Sequence, residues 1–324
     1  VVINSTPRNV DRLTRKVLTM YYLDSISQSE IAKTLSLSPA KVNRIIRSGR
    51  EEGLVEINLK FDHADLVQYE RKLVEQSGLA DAVLCAALSK DPEVNLRVVA
   101  EAAADLLLEK LRDGDVICVS GGKAMAAIIS AIRPTRKYDV TVVPATGGVQ
   151  GKYYTDVNHL AYSLAEKLGG HSLKIHAPLF ADTQEDRNVL IEMRSCKEVM
   201  DLARNADIAL VGIGAVAKGS ESYFDLRNLS DEERHVIHEN HCVGEILAHL
   251  ININGHSCFD SLNQKLVGLT IEELQKIPVR IGVATNIEKV DPIAAALAGK
   301  MVNTLVSDDV TAKSVLEKLK ETAL

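Results

Sequence analysis

Three glycine-bearing stretches directly follow short apolar runs: SGGKAM (120–125) after DVICVS, ATGGV (145–149) after DVTVVP, and GIGAV (212–216) inside DIALVGIGAV. Glycine lets a backbone approach a ligand closely, and a helix that starts there aims its unpaired N–H groups at an anion. Ser120-Gly121-Gly122-Lys123 at the opening of a helical segment therefore reads as a phosphate cradle, with Lys123 adding positive charge. A tight strand-to-helix turn also needs glycine, so this loop taken alone leaves a purely structural reading equally open. Neither GxGxxG nor GxxxxGK[ST] occurs, which argues against a dinucleotide or a nucleoside triphosphate as ligand.

A second constellation lies near the N-terminus. Lys41, Asn43, Arg44 and Arg47 fall on a helical segment whose Val42, Ile45 and Ile46 form an inward face. Ser38-Pro39 opens that segment, a capping hydroxyl followed by proline at the first helical position. Before it, Ser27 and Glu30 have capping-box spacing and start a shorter helix with Ile31, Ala32 and Leu35 on one face. Ser36-Leu37 breaks the chain between the two. Two short helices with a tight turn, the second cationic, make a helix-turn-helix. Arg44, Asn43 and Lys41 could pair with base edges in a major groove, while Ser27, Gln28 and the following helix start could meet phosphate. Ahead of these, residues 10–24 repeat apolar positions at helical spacing. After Gly53, LVEINLKF alternates like a strand and is expected to form a wing. The expected partner is double-stranded operator DNA; the competing reading is a small helical bundle used for dimerisation.

Charge supports the first reading modestly. Residues 1–60 hold 10 Lys+Arg and 6 Asp+Glu, a balance of +4, whereas the whole chain of 324 residues carries −6. A small basic head on an acidic body suits a localised phosphate footprint. Trp is absent, which argues against base stacking as the main mode of binding. Five Cys without a CxxC pair fit a reducing compartment better than a disulfide framework. No apolar run approaches a membrane span and no signal-peptide pattern opens the chain, so a cytoplasmic protein without membrane partners is expected.

Other candidate chemistry fails on spacing. His238, His241, Cys242, His256 and Cys258 match no standard zinc pattern, so no metal is expected. No Ser stands in GxSxG. Asp182, Glu185 and Asp186 read as a solvated loop and first helical turn rather than an acid/base group.

The elements that must position the glycine loops alternate. Strand candidates fall at 81–87, 115–120, 139–144, 172–177, 207–214, 278–284 and 303–307, with helical segments between most of them. Near-continuous apolar strands with intervening helices predict an open, largely parallel α/β sheet covered on both faces, with ligands at the carboxyl ends of its strands. A helix over 61–79 is expected to link this body to the head, giving domains 1–60 and 61–324.

Over almost its whole length the chain resembles the SorC-type family of sugar-responsive regulators. The resemblance rests on ISQSEIAKTLSLSPAKVNRIIRSGREEGLV, VSGGKAM, VPATGGV, HAPLFAD, DIALVGIGAV, VGEILAHLININGH and IPVRIGVATNIEKVDPIAAALAGKMVNTLVSDD, in family order. It implies a winged helix-turn-helix followed by a Rossmann-like domain similar to glucosamine-6-phosphate deaminase and ribose-5-phosphate isomerase, binding a phosphorylated sugar without turnover or cofactor. The family's phosphate loop falls on Gly121, Gly122, Lys123 and Ala124; relatives often carry Thr or Ser at the last two. Gly147 and Gly148, with Asp156 and Asn158, line the sugar side in relatives. Thr146 stands where some relatives have a basic residue. Glu245 matches a carboxylate that accepts from sugar hydroxyls, and Lys289 a lysine near a helix start that meets a phosphate or sugar oxygen. From the residues alone, both read as ordinary surface charges. The implied function is regulation of a carbohydrate catabolic operon by a homo-oligomer, dimer or tetramer. The rival is a sugar-phosphate isomerase or deaminase with a DNA-binding head, but Ala124 and Met125 offer no proton-transfer group.

Overall fold

In the computed structural model, residues 2–3, 10–56, 65–149, 156–216 and 231–322 are described. The chain divides into two units, residues 1–64 and 65–324, so the boundary falls four residues later than the sequence suggests.

In the first unit, helices α1 (Arg12–Tyr22), α2 (Gln28–Thr34) and α3 (Pro39–Glu51) surround a core of Val17, Ile31, Ala32, Val42 and Ile46. Each start is fixed locally. Asp11 Oδ1 accepts from the backbone N–H groups of Leu13 and Thr14. Ser27 and Glu30 form the expected capping box, and Ser38 Oγ accepts from Lys41 N–H ahead of Pro39. Ser36 takes a left-handed backbone (φ 52°) that lets Leu37 N–H reach Ala32 O at 2.8 Å. Glycine would adopt that turn without a Cβ penalty; serine accepts it at a cost. Strand β1 (Val2–Ile3) pairs antiparallel with β2 (Val55–Glu56). The remainder of the expected wing, residues 57–61, lies outside the described residues.

Among the described residues, the second unit is built on a nine-stranded sheet. Seven strands run parallel in the order β3-β11-β10-β7-β4-β5-β6: β3 (Asp81–Cys85), β4 (Val116–Val119), β5 (Thr141–Pro144), β6 (His171–Ser172), β7 (Ile208–Ala215), β10 (Val279–Val283) and β11 (Thr304–Asp308). The largely parallel α/β reading of the sequence holds. Two strands absent from it, β8 (Cys242–Ile246) and β9 (His249–Asn252), extend β7 as an antiparallel hairpin. The strand expected over 172–177 shrinks to the two residues of β6.

Helices cover both faces. On one, α5 (Pro92–Lys110), α6 (Lys123–Ala131) and α7 (Val157–Leu168) bury a core around Leu107, Ile117, Ile128 and Leu164. On the other face, α4 (Leu66–Ser77), α9 (Arg194–Arg204), α13 (Val290–Ala298) and α14 (Asp309–Thr322) contribute Leu73, Met200, Ile293 and Val315. Helices α8 (Gln184–Glu192), α10 (Asp231–Glu239), α11 (Asp260–Asn263) and α12 (Ile271–Lys276) complete the unit. The expected linking helix therefore begins at Leu66 and belongs to the second unit, packed on β3 and α14. Its amphipathic pattern buries Leu66 and Leu73 in the domain core rather than bridging a gap.

The cysteine expectation needs correction: Cys242 and Cys258 are joined in a disulfide, while Cys85, Cys118 and Cys196 are free. Spacing hides the pair, because the β8–β9 turn brings together residues sixteen apart in sequence. No helix among the described residues is long and apolar enough to cross a membrane.

Candidate functional site

The candidate residues of the second unit collect along four neighbouring strands. Gly121–Ala124 follow β4, Gly147 and Gly148 follow β5, Lys289 follows β10, and Glu245 is paired with Gly214 on the extension of β7. From β4 the chain moves outward to β5 and β6, then returns to β7 on the other side of β4. That reversal makes the carboxyl ends of β4 and β7 a topological switch point, the place where open α/β sheets hold ligands.

Gly122 caps α6 with φ 121° and no side chain on its own backbone, so the first-turn N–H groups of α6 face outward past a residue without bulk. Among the described residues, a Cβ at Gly122 or Gly212 would meet no atom within 4 Å, and one at Gly148 nothing closer than 3.9 Å. Gly122 and Gly148 lie beyond the ends of β4 and β5, and Gly212 lies within β7 at the last residue paired with β10. Lys123 is half-buried, and its Nζ lies 3.2 Å from Glu93 Oε1 at the start of α5. Ala124 occupies the next position in the first turn of α6 and is also half-buried.

Glu245 is 5% exposed. Its carboxylate occupies the place where a side chain at 214 would project, so Gly214 is required by the carboxylate's position. Thr146 Oγ1 is buried with no hydrogen-bond partner among the described residues, a polar atom left at the base of the second glycine loop. Lys289 ends a 3-10 turn (Ile287–Lys289) and caps α13.

The loop that carries Lys289 is held by a carboxylate that the sequence did not single out. Asp308, 2% exposed, accepts from Thr285 Oγ1 (2.6 Å), Thr311 Oγ1 (2.5 Å), Thr311 N–H (2.9 Å) and Asn286 N–H (3.3 Å). Burial alone would raise its pKa, but the Thr285 and Thr311 hydroxyls and the two backbone donors outweigh this and hold the carboxyl below its ordinary value. Asn286 adopts φ 99°, and its N–H also donates to Thr311 Oγ1. The available signal was NTLVSDD, an acid directly after an apolar run.

Asp156 and Asn158 have visible local tasks. Asp156 Oδ1 caps α7, accepting from Asn158 N–H and His159 N–H. The Asn158 amide bridges the Ile175 backbone, donating to its carbonyl at 3.0 Å and accepting from its N–H at 2.8 Å. That clamp leaves one amide hydrogen for any ligand.

In the first unit, Lys41, Asn43, Arg44 and Arg47 are all exposed along α3, opposite the buried Val42 and Ile46. Arg47 Nε donates to Glu51 at 2.8 Å, so part of its charge is spent within the helix. Ser27, Ser38 and Pro39 are exposed at helix starts, and Gln28 is half-buried.

Comparison with known proteins identifies the family. Residues 62–317 match the family described as "Putative sugar-binding domain". The chain is 28% identical over 311 residues to the sorbitol operon regulator of Klebsiella pneumoniae, covering 94% of this chain and 98% of that protein. It is 30% identical to the transcriptional regulator LsrR of Enterobacter sp. (strain 638), covering 94% and 93%. The crystal structure of the full-length sorbitol operon regulator SorC from Klebsiella pneumoniae superposes with a TM-score of 0.74 at 27% identity, covering 94% of this chain and 98% of that one. The chain therefore belongs to the SorC-type family of sugar-responsive transcriptional regulators, which act on sugar catabolic operons.

Proposed function

We propose that the protein binds operator DNA through α3 and that a phosphorylated sugar, bound without turnover at the β4–β7 crevice, sets its affinity for that DNA. The observation that carries the sensor half is the set of open glycines at 122, 148 and 212 beside the buried Glu245 carboxylate. Open backbone at Gly122, the start of α6 and Lys123 favour an anion; Glu245 and the half-clamped Asn158 amide favour hydroxyls. Lys289 adds a second cation across β7. Lys123 is already paired with Glu93, so an incoming phosphate exchanges one anionic partner for another. The DNA half rests on the exposed Lys41, Asn43 and Arg44 of a helix whose inner face is sealed.

A regulator of this kind acts as a homo-oligomer, because a two-fold assembly matches a two-fold operator. The ligand switches it by binding one subunit arrangement better than the other, with a coupling of order 1–3 kcal/mol. Thermal denaturation of the purified protein against paired sugars and sugar phosphates tests the reading, since a ligand of the native state must raise the midpoint by mass action. A shift with one sugar phosphate and none with its unphosphorylated partner is expected. A shift with the free sugar alone would remove phosphate from the cradle. Conversion of the stabilising compound during incubation, followed by chromatography, would restore the enzyme reading.

A further inference from the structure

A cleft of about 270 Å³ opens on the second unit between α8, the residues after β9 and the start of α12, and none of the cradle residues lines it. Its floor is His249 on β9, 6% exposed, whose Nε2 lies 2.9 Å from Leu269 O. A carbonyl only accepts, so the ring proton sits on Nε2 and Nδ1 keeps a lone pair. Burial holds the imidazole pKa below its ordinary value, which keeps the ring neutral.

The walls alternate donors and acceptors. Arg187 is steadied by donation from Nε to Leu266 O at 3.1 Å. Asn263 donates from Nδ2 to Ser257 Oγ (2.6 Å) and Cys258 O (3.1 Å), and its Oδ1 is buried with no hydrogen-bond partner among the described residues. Asp260, Gln264 and Glu272 complete the lining that matters.

The cleft is also held in shape. The Cys242–Cys258 disulfide ties the 257–263 segment to β8, and a Thr270–Glu273 capping box fixes the start of α12. Pre-formed walls reduce the ordering cost of binding. One guanidinium against two carboxylates disfavours a phosphate, and no Phe, Tyr or Trp among the described residues lines the cleft.

We propose that this cleft is a second ligand site, taking a small neutral polyhydroxylated compound such as an unphosphorylated polyol or monosaccharide. Its polar groups match vicinal hydroxyls, each of which both donates and accepts. The site stands whether or not the crevice at β4 and β7 binds an anion.

Isothermal titration of the full chain with sorbitol, xylitol and glucose tests this. Asp260 and Gln264 are exposed, so Asp260→Ala with Gln264→Ala leaves the core intact, as an unchanged unfolding temperature will verify. At least a tenfold rise in Kd for one of these probes in that variant is expected, with no change in Lys289→Ala. Any other pattern overturns the proposal: no saturable binding by the unmodified chain, no loss in the double variant, or loss in Lys289→Ala, which would put the polyol in the crevice. Inorganic phosphate, titrated in parallel, reports on the crevice separately, so the failure of one reading leaves the other standing.

Discussion

Gly147 and Gly148 are neighbours in one loop, yet the structure assigns them opposite sensitivities. A Cβ at Gly147 would overlap the Pro178 carbonyl oxygen and lie 2.5 Å from its carbon and 2.9 Å from Leu179 N. Those atoms cannot move aside freely. Gly147 N–H donates to Val267 O at 2.7 Å, Gly148 N–H to Ala177 O at 2.9 Å, and Leu179 N–H to Gly148 O at 2.8 Å. Gly147→Ala therefore overpacks a backbone-to-backbone contact, which costs about 1–3 kcal/mol, and weakens one hydrogen bond worth about 1 kcal/mol. A loss of about 2–4 kcal/mol lowers the midpoint of a domain this size by roughly 5–15 °C. Gly148→Ala meets no described atom closer than 3.9 Å, and neither glycine has a positive φ. Its effect on stability is within about 0.5 kcal/mol, or slightly favourable through the unfolded chain. The added methyl does enter the open space at the end of β5, so ligand affinity falls while the midpoint holds. Thermal unfolding by circular dichroism, paired with calorimetric binding of the stabilising sugar phosphate, measures both. A wild-type midpoint for Gly147→Ala, or wild-type affinity for Gly148→Ala, would refute this account of the loop.

Three further outcomes follow from the geometry. Arg44→Ala weakens operator binding by about 1–3 kcal/mol if it pairs with a base, whereas Arg47→Ala does less because Arg47 is held by Glu51; gel shift on selected operator DNA ranks them. Asp308→Asn sets an amide N–H against the hydroxyl and backbone donors now satisfied by the carboxylate, costing about 2–3 kcal/mol. The folded carboxyl has a lowered pKa, so its contribution is complete above the unfolded value near about pH 4 and fades as pH falls through the folded one; a gap between wild type and variant that widens in acid would contradict this. Reduction of Cys242–Cys258, or Cys258→Ser, reopens a loop of sixteen residues and lowers stability by up to about 3 kcal/mol, seen as a lower midpoint in reductant and no further drop in the variant.

Much of the fold was legible because local signals and burial agree. The Ser27–Glu30 capping box and Ser38-Pro39 fix helix starts through hydrogen bonds within four residues, and strands buried on both faces read as apolar runs. Legibility failed where long-range pairing decides. The β8–β9 hairpin turns through Leu247 and Ala248, both at positive φ without glycine, so no turn signal marks it. The disulfide depends on that turn. The Asp308 network joins residues 23 apart through the hydroxyl of Thr285, which looks like an ordinary strand-end threonine, and adds that of Thr311 in the first turn of α14. The candidate effector residues came chiefly from family resemblance, since nothing local distinguishes Glu245 or Lys289 from a surface charge. The Glu93–Lys123 pair, across 30 residues, was not legible at all.

The central claim is that ligand on the second unit changes the DNA affinity of the first. Fluorescence anisotropy of labelled operator DNA, titrated with the protein with and without the saturating sugar phosphate, measures that coupling directly. A change in apparent Kd of about 5- to 150-fold, abolished by Lys289→Ala, is the expected result. Identical titrations, under conditions where calorimetry shows the ligand bound, would contradict it.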